Sequence, residues 1–136
     1  MANFMFGKAL EGYGNGAIIW TSDNIKIVLV DAADYTPASS TDQYLSDIPS
    51  GGRVGTSGNL ASKTNTLGVM DAADVVISAV SGDTFEDLVF YSSTGTDSTS
   101  RLHCFYDTSV TGLPATPNGG DITIQLPNDA YKVYKL

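Results

Sequence analysis

The chain has one cysteine, Cys104, and one histidine, His103, in 136 residues. A lone cysteine cannot close an intrachain disulfide, so no disulfide framework is expected. That suits assembly in a reducing cytoplasm. One cysteine and one histidine also fall short of the ~4 nitrogen and sulfur ligands of a structural zinc site. Positive charge is scarce as well. Seven Lys and Arg stand against 15 Asp and Glu, for a net charge of −8. Such a field repels phosphate backbones and anionic lipid surfaces, so neither a nucleic acid nor a membrane is expected as a partner. No apolar run approaches the ~20 residues of a membrane-spanning helix. The opening segment MANFMFGKALEGYG has its lysine after its apolar residues, and its apolar stretch is too short and broken for a secretory signal. Synthesis and folding in the cytoplasm are expected.

Recognisable reaction chemistry is missing too. A Ser-His-Asp hydrolase would have to use His103 as its base, and no serine lies in a GxSxG elbow. Cys104 follows His103 directly, and strict strand alternation would turn the two side chains to opposite faces. The glycine-rich stretch Gly12–Gly16 is followed by Ala-Ile-Ile-Trp and opens no helix, while Ser62-Lys63-Thr64 lacks the preceding glycines of a phosphate-binding loop. The densest carboxylates are Asp71 with Asp74, and Asp83 with Glu86 and Asp87. Neither group has the spacing of an EF-hand loop. No catalytic residue, cofactor or metal ligand is therefore assigned, and no enzyme activity is expected.

What is present is strand. Ile25–Val30 (IKIVLV) is β-branched and nearly continuously apolar, as a strand covered on both faces would be. Val75–Ile77, Phe85–Tyr91, Arg101–Tyr106, Asp121–Leu126 and Tyr131–Leu136 also read as strands. Polar turns separate several of them at the spacing of sandwiches and barrels. Arg53–Val69 reads as one or two solvated strands rich in Thr and Ser. Proline, glycine and asparagine before Asp121, and Pro-Asn-Asp after Leu126, punctuate the last two runs. Two short helices are expected. One covers Phe4–Leu10 with Asn3 as N-cap and is broken by Gly12, Gly14 and Gly16. The other covers Gln43–Ile48 and is stopped by Pro49. Together these predict an all-β chain: one domain over residues 1–136, a β-sandwich or jelly-roll-like barrel, with a short N-terminal helix and a C-terminal strand in the sheet. Residues 1–12 form either a helical arm that reaches a neighbour or a plug for one end of the sandwich in this reading.

On β-strands with a single inward parity, Phe85, Tyr91, Phe105 and Tyr106 cannot all face one core. Some of them are expected on a contacting surface. With the apolar arm, the candidate interface residues are Phe4, Phe6, Leu10, Tyr13, Phe85, Tyr91 and Phe105.

Several segments are distinctive in their order: LSDIP (45–49), VSGDT (80–84) and TPNGGDITIQ (116–125), within longer stretches running from FGKALEG to the last residue. In these the chain resembles a family of small structural proteins of tailed bacteriophages. The resemblance covers nearly the whole chain and brings no catalytic residues with it. It implies a virion component, most simply a capsid decoration or cement protein. Its partners would be the major capsid protein and copies of itself as a homo-oligomer. A tail or neck adaptor, or fibre-associated protein, is the alternative within the virion. A host-surface or carbohydrate-binding module is a third reading, permitted by the tyrosines and the Thr/Ser-rich loops.

Overall fold

The structure is a computed structural model, and it describes residues 3–107, 113–126 and 133–136. The central element is a five-stranded antiparallel sheet in the order β1-β8-β7-β2-β3. Its strands are β1 (Phe4–Met5), β2 (Ile25–Val30), β3 (Arg53–Thr56), β7 (Asp87–Ser92) and β8 (Arg101–Tyr106). A three-stranded sheet joins β4 (Thr64–Thr66), β5 (Val69–Asp71) and β10 (Tyr134–Lys135) in the order β10-β5-β4, and β6 (Val75–Ile77) pairs with β9 (Ile122–Ile124). Among the described residues the fold is all-β with one α-helix, α1 (Gly7–Gly14), and a terminal strand in a sheet. The strand expected over Tyr131–Leu136 is seen as β10; Tyr131, Lys132 and the Pro-Asn-Asp turn lie outside the described residues.

Two cores explain why so many large residues are needed. Alternation sends Ile25, Ile27 and Leu29 of β2, with Leu88 and Phe90 of β7, to one face of the large sheet. There they meet Met70, Ile77, Ile124 and Tyr134 of the two smaller sheets. Val28, Val30, Val89 and Tyr91 face the other way, against Phe6 and Ala9 of the helical segment and against Tyr35, Leu45 and Ile48 of the 35–48 loop. The sheet is thus covered on both sides, as the continuous apolar run of β2 suggests. Phe85, Tyr91, Phe105 and Tyr106 are all buried. The expectation that some of them must overflow to the surface is corrected: the second face they need belongs to a second core.

The N-terminal segment also departs from expectation. Phe4 and Met5 are extended, paired with Phe105 and Cys104 of β8, and the helix starts only at Gly7. Asn3 caps no helix; its side-chain oxygen accepts from the Asp107 N–H at 2.9 Å. Strand pairing satisfies the backbone of Phe4 and Met5 and stacks the Phe4 ring on Phe105, with centroids 5.1 Å apart. Gly12 does not break the helix. It lies against Ile18, where an added Cβ would come within 2.9 Å of Ile18 Cδ1. The chain turns out of the helix at Gly16, whose φ is +75°.

The second expected helix is a 3₁₀ turn, Leu45–Asp47, with buried Leu45 and Ile48. Arg53 ties it down, donating to the carbonyls of Leu45 and Ile48.

Candidate functional site

The register of β7 and β8 slips between Phe90 and Tyr91, so that Phe90 pairs with Cys104 and Tyr91 with Leu102. His103 is the extra residue of this β-bulge. The bulge reverses parity along β8. Leu102 and Phe105 enter one core while Cys104 and Tyr106 enter the other. His103 turns to the Cys104 side, boxed by the rings of Tyr13, Trp20 and Tyr134 at centroid distances of 6.0, 6.1 and 6.4 Å. The expectation that His103 and Cys104 point to opposite faces is overturned by this one inserted residue.

Around His103 runs a chain of hydrogen bonds, buried at the ring and part-buried at its Asp23 and Tyr13 ends. Its Nε2 lies 2.6 Å from Ser92 Oγ, and Ser92 Oγ donates to Asp23 Oδ2 at 3.0 Å. Its Nδ1 lies 3.3 Å from the Tyr134 hydroxyl, which in turn contacts the Tyr13 hydroxyl. The proton order follows from chemistry. A carboxylate only accepts, so the single Ser92 proton goes to Asp23, and Nε2–H donates to Ser92. Nδ1 then accepts from Tyr134, and Tyr134 accepts from Tyr13. Burial, with the charge of Lys63 nearby, lowers the imidazole to about 3. Burial likewise pushes both phenols and the Cys104 thiol upward. His103, Tyr13 and Tyr134 are therefore neutral at pH 7. Ser92 does not give its proton to His103, so this serine-histidine contact is a structural tie and not an activated nucleophile.

In front of Ser92 opens a cleft of 340 Å³, lined also by Ser22, Asp23, Asn24, Thr94 and Arg101. The Arg101 guanidinium lies over the Tyr44 ring, 5.7 Å from its centroid.

The carboxylates group differently from their order in sequence. Oxygens of Asp31, Asp34 and Asp83 come within 4.8 Å of one another. Three carboxylates are a ligand set that suits a hard cation. Asp34 and Asp83 are exposed, however, and Asp31 Oδ1 already accepts from the Ala33 N–H. Asp71 and Asp74 accept from the backbone N–H groups of Ala72 and Leu126, and Glu86 accepts from that of Ala32. These acids satisfy backbone donors, Asp71 within its own turn and Asp74 and Glu86 on segments remote in sequence.

The expected interface residues separate into two sets. Phe6, Phe85, Tyr91 and Phe105 are buried within the chain's own cores. Phe4 and Tyr13 are half-buried, and Leu10 is 52% exposed.

No family model matches this chain, and no curated protein does either.

The segments LSDIP, VSGDT and TPNGGDITIQ have clear structural work. VSGDT and TPNGGDITIQ are clamped together: Val80 and Gly119–Gly120 exchange backbone hydrogen bonds, and the Ala79 N–H donates to Asp121. Thr84 and Thr116 bond through their hydroxyls. LSDIP is the 3₁₀ turn held by Arg53.

Proposed function

We propose that this chain is a structural protein of a tailed-bacteriophage virion, and that it decorates the head by binding the major capsid protein. The observation that carries the reading is the ordered run of LSDIP, VSGDT and TPNGGDITIQ along the sequence. The distribution of side chains supports it. The groups able to do chemistry, His103, Cys104 and Ser92, are turned inward. What faces outward is acidic and polar, with a few separated apolar residues.

Cryo-EM of the parent particle, with quantitative mass spectrometry, tests the proposal. Head decoration requires hundreds of copies on the shell. The small multiples of a neck or tail ring would move the protein to the tail, and absence from the particle would overturn the virion reading altogether.

A further inference from the structure

The 340 Å³ cleft in front of Ser92 lies between the turn that precedes β2 and the one that joins β7 to β8. The Ser93 N–H donates to the Asn24 carbonyl at 2.7 Å and holds the two turns together. The second turn reads SSTGTDSTS over residues 92–100. Its hydroxyls are tied locally: Thr94 Oγ1 lies 2.5 Å from Thr99 Oγ1, and Ser100 Oγ donates to the Thr96 carbonyl at 2.8 Å. This wall is set before any ligand arrives, so little ordering is left for binding to impose.

Two opposite charges, Asp23 and Arg101, line the cleft without pairing with each other. The Asp23 carboxylate is fixed through Oδ2, which accepts from the Ile19 N–H and the Ser92 hydroxyl, each at 3.0 Å. Its Oδ1 holds no hydrogen bond among the described residues and stays available as an acceptor. Arg101 is fixed by the Lys8 carbonyl at 3.4 Å and by the face of Tyr44. It pairs with no carboxylate among the described residues, so its remaining N–H groups stay available as donors. Asn59 Nδ2 donates to Asn24 Oδ1 at 3.3 Å, which leaves Asn24 Nδ2 as a further donor.

These walls exclude most ligand classes. Among the described residues Ala17 is the one apolar residue of the lining, so a lipid or an aromatic ring finds no apolar bed. One carboxylate is too few for a calcium or zinc ion. One guanidinium offset by one carboxylate makes a poor phosphate site. A ring that carries several hydroxyls suits the lining, because each hydroxyl both donates and accepts. Such a ring can give protons to Asp23 Oδ1 and take N–H groups from Arg101 and Asn24. The cleft is near the lower end of the ~300–1,000 Å³ of small-molecule sites, a size for one ring. We infer that it binds a single neutral sugar unit, with Asp23 accepting, Arg101 and Asn24 donating, and the hydroxyls of Thr94 and Thr99 doing either. Sugar hydroxyls leave water to enter, so each contact nets little and one site is weak. A shell carrying many copies would multiply it, and that last step alone rests on the virion reading.

Titration of the whole protein with the methyl glycosides of glucose, galactose and mannose, and with N-acetylglucosamine, at millimolar concentrations and followed by amide NMR, tests the site. At least one of these sugars should give saturable shifts at residues 22–24, 92–94 and 99–101. The His103 ring N–H should move with them, because Nε2 donates to Ser92 and Ser92 donates to Asp23. Asp23→Asn keeps one oxygen for Ile19 and Ser92 and puts an amide donor where Oδ1 stood. It should leave the melting temperature nearly unchanged and weaken binding by about tenfold or more, the worth of one hydrogen bond to a charged group. Ser22→Tyr, at an exposed position on the rim, should block the cleft and abolish the shifts. Lys26→Gln, outside the cleft, should bind as the wild type does. Sodium phosphate and glycine are the competing probes. Shifts with either of them and with no sugar would make this an ion site and overturn the inference. So would the lack of a saturable shift with any of the four sugars, shifts confined to other surfaces, or unchanged affinity in Asp23→Asn and Ser22→Tyr. The cleft can fail this test in a protein that decorates the head, and pass it in one that is absent from the particle.

Discussion

His103 and Asp87 are buried ionisable groups whose titrations oppose each other. Burial holds the native His103 ring to about 3, below its ordinary 6.5. The groups facing it are Ser92, Tyr134, Tyr13 and Trp20, with Lys63 adding positive charge. Below pH 6.5 the unfolded ring takes a proton that the native ring refuses. Stability from this group is whole above 6.5 and falls as pH drops toward 3. Asp87 runs the other way. Burial first, then the charges of Asp107, Glu86 and Asp31, raise its carboxyl from 3.8 to about 6. Its contribution is whole below 3.8 and is lost as pH rises through 6. Each pH unit of separation corresponds to ~1.4 kcal/mol, so each effect is of the order of a few kcal/mol, and the wider His103 gap dominates. Wild-type stability should therefore rise gently with pH across the acid range. Asp87→Asn should steepen that rise, and His103→Gln should reverse it. Urea midpoints at several pH values would show this, and parallel profiles for the three proteins would refute both assignments.

At the scale of elements, β1 and α1 belong to the body of the fold. Phe6 and Ala9 are 0% exposed, and Phe4–Met5 completes one edge of the large sheet. Truncating one buried phenylalanine costs about 3–5 kcal/mol, a large share of the ~5–15 kcal/mol that stabilises a typical domain. Deleting residues 3–12 should accordingly abolish the cooperative melt and the near-ultraviolet circular dichroism. A detachable arm would leave the melting temperature unchanged. The sequence makes β2 and β8 legible at their full bounds, because each is a dense β-branched or aromatic run between polar turns. It misplaces the first helix because Phe4 and Met5 suit either state, and only pairing with Phe105 and Cys104, a hundred residues away, decides between them. The bulge at His103 is equally hidden. A one-residue slip in register leaves no mark in RLHCFY, yet it moves His103 to a new face. The chain of Asp23, Ser92, His103, Tyr134 and Tyr13 joins segments remote in sequence, so composition could say only that one histidine existed.

Across the whole molecule the charge is not evenly spread. Val30 pairs with Asp87, and Leu88 with Tyr106, so β2 and β8 end where β7 begins. Asp31, Asp87 and Asp107 therefore gather at one end of the five-stranded sheet. Glu86 joins them through the Ala32 N–H, and Asp34 and Asp83 lie within 4.8 Å of Asp31. At the opposite end, Lys26 and Arg101 sit on the strands, and Lys63 donates to the Asp23 carbonyl. The acidic end is where folding brings like charges together, and there Asp107, Glu86 and Asp31 add to the effect of burial in raising the Asp87 carboxyl. Salt shortens the screening length from about 10 Å at 0.1 M to about 3 Å at 1 M, which spans the spacing of these groups. Sodium chloride should therefore raise the melting temperature at pH 7, by roughly 2–4 °C for each kcal/mol of repulsion relieved. Asp87→Asn should raise the melting temperature at low salt and shrink the further gain from salt. A substitution at the mixed end, Lys26→Gln, removes no repulsion from the acidic cluster and should leave the gain intact. Equal salt responses in all three proteins would mean that the net charge of the chain, and not the packing of acids at one end, sets its electrostatic cost.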